Sequence, residues 1–144
     1  MKRSRVPDSV RQRVAELAGH CCGYCQTRED IVAYPLHIDH IIPQAAGGSS
    51  AEDNLWLSCS VCNNYKGAQT SGIDPETGIA TPLFNPRLQK WADHFAWSDD
   101  GTRISGRTAT GRATVVALKL NEPFRVFARQ LWVEVGWHPP EDLG

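Results

Sequence analysis

The chain has 144 residues, of which 41% are hydrophobic, with nine prolines, twelve glycines, five cysteines and a formal net charge of −1. That length suits a single domain, residues 1–144, and the composition is that of an ordinary globular protein with many turns. No run approaches about 18 apolar residues, which excludes a helical membrane span. The first 30 residues lack the apolar stretch of a secretory signal, so the expected location is the cytoplasm.

In a reducing compartment, five cysteines point to metal binding rather than to disulfides. Bulk charge does not announce a nucleic-acid binder. Lys2, Arg3, Arg5, Arg11 and Arg13 make the N-terminus basic, and eight more basic residues lie between Arg87 and Arg129. Such runs read as solvated surface unless the fold gathers them on one side as a phosphate-binding face.

Residues 1–6 read as a basic arm. Val10, Val14, Leu17 and Ala18 recur with helical period, which predicts a helix over 8–18, capped by Asp8 or Ser9 and ended by Gly19. Cys22 and Cys25 form a C-x-x-C, with Gly23 permitting the tight turn. Residues 31–34 read as a short strand ended by Pro35. Residues 37–42 read as a second strand with Ile38 and Ile41 as core candidates, stopped by Pro43. Residues 44–53 are a loop, 55–58 a further strand, Cys59 and Cys62 a second knuckle, and 63–69 a helix. Residues 70–86 read as a plain connection with turn chemistry at Pro75–Gly78. A short helix follows over 86–95, then a hairpin of 96–98 and 102–105 around Asp99-Asp100-Gly101. Thr110 caps a helix over 110–120. The last helix opens at Asn121 and Pro123, carries Phe124, Phe127, Ala128, Leu131 and Val135 at helical spacing, and stops at Gly136. The five tryptophans read as core, and His20, His94 and His138 as structural or surface residues. The core spans about 20–70 and a C-terminal extension about 82–138.

Two C-x-x-C pairs, 33 residues apart, supply four thiolates to one tetrahedral ion. Cys22, Cys25, Cys59 and Cys62 are therefore the expected ligands of a structural zinc with no open position. Cys21 is left as a free, partly buried thiol. Between the knuckles and just after the second stand residues of a different chemistry. Asp39 and Asn63 offer hard oxygen donors suited to Mg²⁺ or Mn²⁺. His40 has an imidazole suited to general-base work near neutral pH. His37, two residues before Asp39, is a further metal-ligand candidate, and Lys66, one helical turn after Asn63, is a phosphate-binding candidate. Taken singly, each of these residues reads as a turn former, a cap or a surface group, and it is the set that suggests a site.

D-H-I-I-P at Asp39–Pro43, Gly47-Gly48, Asn54-Leu55 and C-x-x-C-N-x-x-K at Cys59–Lys66 resemble the motif of the HNH endonucleases. The stretches Leu83–Arg87, Trp91–Phe95 and Gly111–Thr114 resemble those of bacterial HNH proteins of similar length. The resemblance implies an α+β fold with a ββα-metal (His-Me finger) core, flanked by an N-terminal helix and a C-terminal hairpin plus helices. It implies that His40 is the general base, that Asp39 and Asn63 hold the catalytic ion, and that Asn54 supports the loop and aligns the base. The expected activity is hydrolysis of double-stranded DNA, leaving 5′-phosphate and 3′-hydroxyl ends. The competing reading is a non-catalytic zinc-knuckle module that binds nucleic acid or protein, including one with a decayed nuclease core.

Overall fold

The computed structural model describes residues 6–140. The expected basic arm, with Lys2, Arg3 and Arg5, lies almost entirely outside them. Helix α1 spans Asp8–Leu17 and buries Val14 and Ala15. Pro7, not Asp8 or Ser9, takes the cap position, and its carbonyl accepts from the N–H groups of Val10 and Arg11. Val14 packs with Val6 and Leu55, so α1 lies against the second strand of the core.

A bridge between Cys21 and Arg28 encloses the first knuckle. Cys22 N–H donates to the Thr27 carbonyl and Gln26 N–H to the Cys22 carbonyl. Gly23 N–H donates to Leu57 O, which ties this turn to the sheet. A Cβ at Gly23 would run into the Trp56 ring and Pro86.

The strand expected over 31–34 is instead one turn of helix, α2, at Glu29–Val32. Among the described residues, no strand pairs with it. Glu29 N–H donates to His20 O, Leu36 N–H donates to the Glu29 carboxylate, and Ala33 turns left-handed at φ 58°. Within the expected strand, Ile31 N–H donates to Arg28 O and Ala33 N–H to Glu29 O, local bonds that take groups a strand would need.

Strand β1 (His37–His40) pairs antiparallel with β2 (Leu55–Ser58), His40 opposite Leu55 and His37 opposite Ser58. The intervening loop contains two short 3₁₀ turns, Gln44–Ala46 and Glu52–Asn54. Helix α3 spans Ser60–Lys66, beginning earlier than the expected Asn63 because the second knuckle is itself its first turn. Cys59 caps it, its sulfur accepting from Cys62 N–H at 3.4 Å. Helix α3 packs on β1.

Beyond the core, β3 (Ser71–Ile73) and β4 (Ala80–Pro82) form a hairpin where a plain connection was expected. Helix α4 is only Trp91–His94, because side chains of Asn85 and Gln89 close the preceding turn instead. Strands β5 (Phe95–Trp97) and β6 (Ile104–Gly106) form the second hairpin. Helix α5 (Ala109–Ala117) is capped by Thr108 rather than Thr110. The Thr108 hydroxyl accepts from Gly111 N–H, while Thr110 sits inside the helix and takes a bond from Thr114 through its carbonyl. Helix α6 spans Pro123–Glu134, with Glu122 as cap and Gly136 at φ 80° beyond its end.

The knuckle cysteines, Tyr24, Leu36 and Leu57 share one buried cluster with Leu83, Phe84, Phe95, Ile104, Leu118 and Leu120 from the extension. Trp91 Nε1 donates to Tyr24 O at 2.8 Å across that junction. Helix α6 turns Val126 and Arg129 inward, while Phe124, Phe127, Leu131 and Val135 face solvent. Trp137 is half exposed, against the expectation that all five tryptophans are core. Of the basic residues of the extension, Arg129 is buried, Arg87, Arg112 and Arg125 are half-buried, and Lys90, Arg103, Arg107 and Lys119 are exposed. Arg112 grips Asp74 at 2.9 Å with both Nε and Nη2, and Arg129 donates to Thr102 O and Leu120 O. Among the described residues, no helix is long and apolar enough to cross a membrane.

Candidate active site and metal centre

The sulfurs of Cys22, Cys25, Cys59 and Cys62 lie within 4.8 Å of one another, all buried. Cys25 Sγ and Cys59 Sγ are 3.6 Å apart. A zinc–thiolate tetrahedron with bonds of about 2.3 Å has edges of about 3.8 Å, so the four residues fit such an ion. Charge argues the same way. Burial pushes the Cys22 and Cys62 thiols well up, whereas hydrogen bonds from the other three cysteines favour the thiolate at Cys25 alone. A cation is what would hold all four as thiolates. Arg125 of α6 adds to this, its Nη2 donating to Cys62 Sγ at 3.0 Å. Cys21 stands outside the cluster, a partly buried thiol whose Sγ donates to Gly19 O, as the sequence suggested.

Helix α3 carries the cluster over to β1. Its last residue, Lys66, is only 2% exposed. Lys66 Nζ donates to Asp39 Oδ1 at 3.3 Å and to the His40 carbonyl at 3.0 Å. The other carboxylate oxygen, Asp39 Oδ2, accepts from the Tyr24 hydroxyl at 2.7 Å. Burial raises the Asp39 carboxyl above its ordinary range, against the opposing pull of Lys66 and Tyr24. The Lys66 ammonium thus stands where Asp39 and a main-chain carbonyl together accept a cation, which is the donor chemistry a divalent ion would use. Asn63 lies one turn before Lys66 on the same helix, partly exposed.

Asp39 and His40 end a strand, and their side chains diverge. His40 Nε2 is 3.1 Å from Ser50 Oγ, which also accepts from Gln44 Nε2 at 3.2 Å. The loop between is fastened by Asn54. Its Oδ1 accepts from Ile42 N–H at 2.9 Å, and its Nδ2 donates to Ile42 O at 3.0 Å and to Ser49 O at 2.8 Å. Ile41 N–H also donates to Asn54 O. A Cβ at Gly48 would run into the Ile42 carbonyl, so the close return of this loop needs glycine there.

From outside the core, Arg87 Nη2 donates to Glu52 O at 3.0 Å and Arg87 Nε to Leu55 O at 3.4 Å, on either side of Asn54. The same guanidinium lies over Trp56, and Arg13 pairs with the Glu52 carboxylate at 2.8 Å.

Lys66 thus ties the Asp39 carboxylate to the His40 carbonyl, while the His40 ring meets Ser50 and Asn54 fastens Ile42 and Ser49 of the loop that follows; Asn63 lies on the adjoining helix turn. His37 is exposed at the opposite end of β1 from His40. Tyr24, Ser50, Arg87 and Arg125 were not legible as site residues. Tyr24 carried the best signal, an aromatic hydroxyl set between two knuckle cysteines.

Residues 22–69 match the family model for the HNH endonuclease. The chain is also 34% identical, over 105 residues and 67% of its length, to the CRISPR-associated endonuclease Cas9 of Actinomyces naeslundii. The match spans 9% of that protein's length. No solved structure matches the chain.

Proposed function

From residues 22–69, which are an HNH endonuclease domain, we propose that the chain is a metal-dependent endonuclease acting on double-stranded DNA, with a ββα-metal core and a structural zinc on Cys22, Cys25, Cys59 and Cys62. The observation that supports this reading is that β1 ends in Asp39 and His40, with Lys66 bonded to the Asp39 carboxylate and the His40 carbonyl and with the following loop fastened by Asn54, on the same small sheet and helix that carry the four-cysteine cluster. A zinc-knuckle binding module would have no use for that arrangement.

His40 is the general base. Ser50 Oγ accepts from Gln44 Nε2 and lies 3.1 Å from His40 Nε2, so Ser50 holds the ring by one nitrogen and Nδ1 would be the nitrogen that removes a proton from water. Asn54 holds the loop that fixes the ring's position. Asp39 and Asn63 would hold Mg²⁺ or Mn²⁺, which would supply positive charge against the phosphoryl oxygens. His37, exposed two residues before Asp39 on β1, is a further candidate ligand. Lys66 is placed to meet the phosphate once released from Asp39.

The test is plasmid nicking with the zinc-loaded protein in Mg²⁺, Mn²⁺ or EDTA. Wild type should cut only with a divalent ion, and His40→Ala should be folded and inactive. A folded His40→Ala protein that cuts at the wild-type rate would refute the assignment.

A further inference from the structure

Lys66 is buried, and it gives hydrogen bonds to a carboxylate oxygen and a main-chain carbonyl oxygen, two hard donors of the kind that bind Mg²⁺ or Mn²⁺. Tyr24 fixes the opposite oxygen of the same carboxylate, so Oδ1 is the oxygen left to a cation, and Lys66 has it. Two cations on one buried oxygen repel strongly at low effective dielectric. A divalent ion and the Lys66 ammonium therefore compete for one place.

We propose that Lys66 is a built-in counter-cation that closes the catalytic ion site in the DNA-free protein, and that the phosphate of bound DNA draws Lys66 off Asp39 and so admits the ion. This rests on the reading of Asp39 as an ion ligand. DNA phosphate supplies the negative charge that Lys66 loses when it leaves Asp39, so ion and DNA bind with positive coupling. By linkage the coupling is reciprocal: the ion tightens DNA as much as DNA tightens the ion. The arrangement withholds the hydrolytic ion until a phosphate is present.

The probe is Mn²⁺ binding to the zinc-loaded protein, followed by electron paramagnetic resonance, without DNA and with a phosphorothioate duplex that resists cleavage. Wild type alone should bind Mn²⁺ weakly, and the duplex should tighten it by about 5- to 150-fold, the usual range of such coupling. Lys66→Met keeps the length of the side chain and removes the charge. It should bind Mn²⁺ at least tenfold more tightly than wild type without DNA, with the gain from DNA largely gone. A purely structural Lys66–Asp39 pair predicts the opposite: Lys66→Met is less stable and gains no affinity. That result, or a wild-type Mn²⁺ affinity indifferent to the duplex, overturns the proposal. The wild-type comparison needs no variant, so a Lys66→Met protein that fails to fold leaves the test intact. Asp39→Asn separates the two levels. If it leaves Mn²⁺ binding unchanged with and without duplex, the ion sits elsewhere and the assignment of Asp39 itself fails.

Discussion

Replacing Arg125 by methionine is expected to weaken zinc binding from a position outside the ligand set. Arg125 Nη2 donates to Cys62 Sγ at 3.0 Å, and Nη1 donates to Leu118 O at 2.9 Å and Lys119 O at 3.4 Å. Burial alone would lower the pKa of this guanidinium, but the sulfurs of Cys62, Cys25 and Cys59 more than reverse that, so its charge is coupled to the cluster. A hydrogen bond to a charged group contributes about 1.5–3 kcal/mol, or about 10- to 150-fold in an equilibrium constant. Losing an outer partner of a metal ligand typically costs about 10- to 100-fold in affinity. The two estimates agree, and a fall of about 10- to 100-fold is expected for Arg125→Met. The two carbonyl bonds hold α6 to the end of α5, and their loss lowers stability by about 1–3 kcal/mol whether or not zinc is bound. Arg125→Lys keeps the charge without the planar fork and should fall between. The assay is competition for zinc against a chromogenic chelator, with circular dichroism to verify folding. A folded Arg125→Met protein that holds zinc as tightly as wild type refutes the coupling.

Asn54→Ala removes three side-chain hydrogen bonds from a partly exposed residue and should cost about 2–3 kcal/mol, with a larger loss of nicking because the His40 loop is freed. Denaturant unfolding within about 0.5 kcal/mol of wild type would count against this role. His138 packs edge-on against Trp97 at 4.4 Å, and burial, with Arg129 nearby, lowers its pKa to about 4. Its neutral form is favoured in the fold, so its contribution is complete above pH 6.5 and drains away as pH falls towards 4. Between pH 7 and 5 the loss is about 2 kcal/mol, and the stability gap between wild type and His138→Phe should shift by that amount; a gap that is the same at both pH values contradicts it. A fragment of residues 1–70 keeps the four cysteines but loses Phe84, Arg87, Trp91, Phe95 and Arg125, and should not fold cooperatively even with zinc. Dispersed amide resonances from that fragment would show otherwise.

The sequence displayed its core well, for physical reasons. Thiolate pairs at fixed spacing advertise one ion, residues 37–42 alternate before Pro43, and Leu55-Trp56-Leu57 is a short apolar run after a turn-rich loop, so both knuckles and both core strands were legible. The β3–β4 hairpin was not, because three-residue strands are too short to show a period of two. The turn at Glu29–Val32 was misread as strand because β-branched residues suggest extension locally, while the bonds that decide the matter come from His20 and Leu36. The Lys66–Asp39 pair joins residues 27 positions apart and Arg125–Cys62 residues 63 apart. Nothing local in a sequence marks such partners.

The basic residues carry the remaining lesson. Between Arg87 and Arg129, five arginines spend their guanidinium groups on carbonyls, a carboxylate or a sulfur of the same chain: Arg87, Arg107, Arg112, Arg125 and Arg129. Buried anions account for two of the strongest of these placements and for Lys66. Asp74 takes Arg112, the cysteine cluster takes Arg125, and Asp39 takes Lys66. Arg112 and Arg125 are thus internal counter-charges and Arg87, Arg107 and Arg129 are tied to carbonyls, while Lys90, Arg103, Arg107 and Lys119 are exposed. On the proposed reading, a local exchange in which a phosphate would replace the Asp39 carboxylate as the partner of Lys66 would add to the attraction that the exposed basic residues supply, and a net charge of −1 is compatible with that.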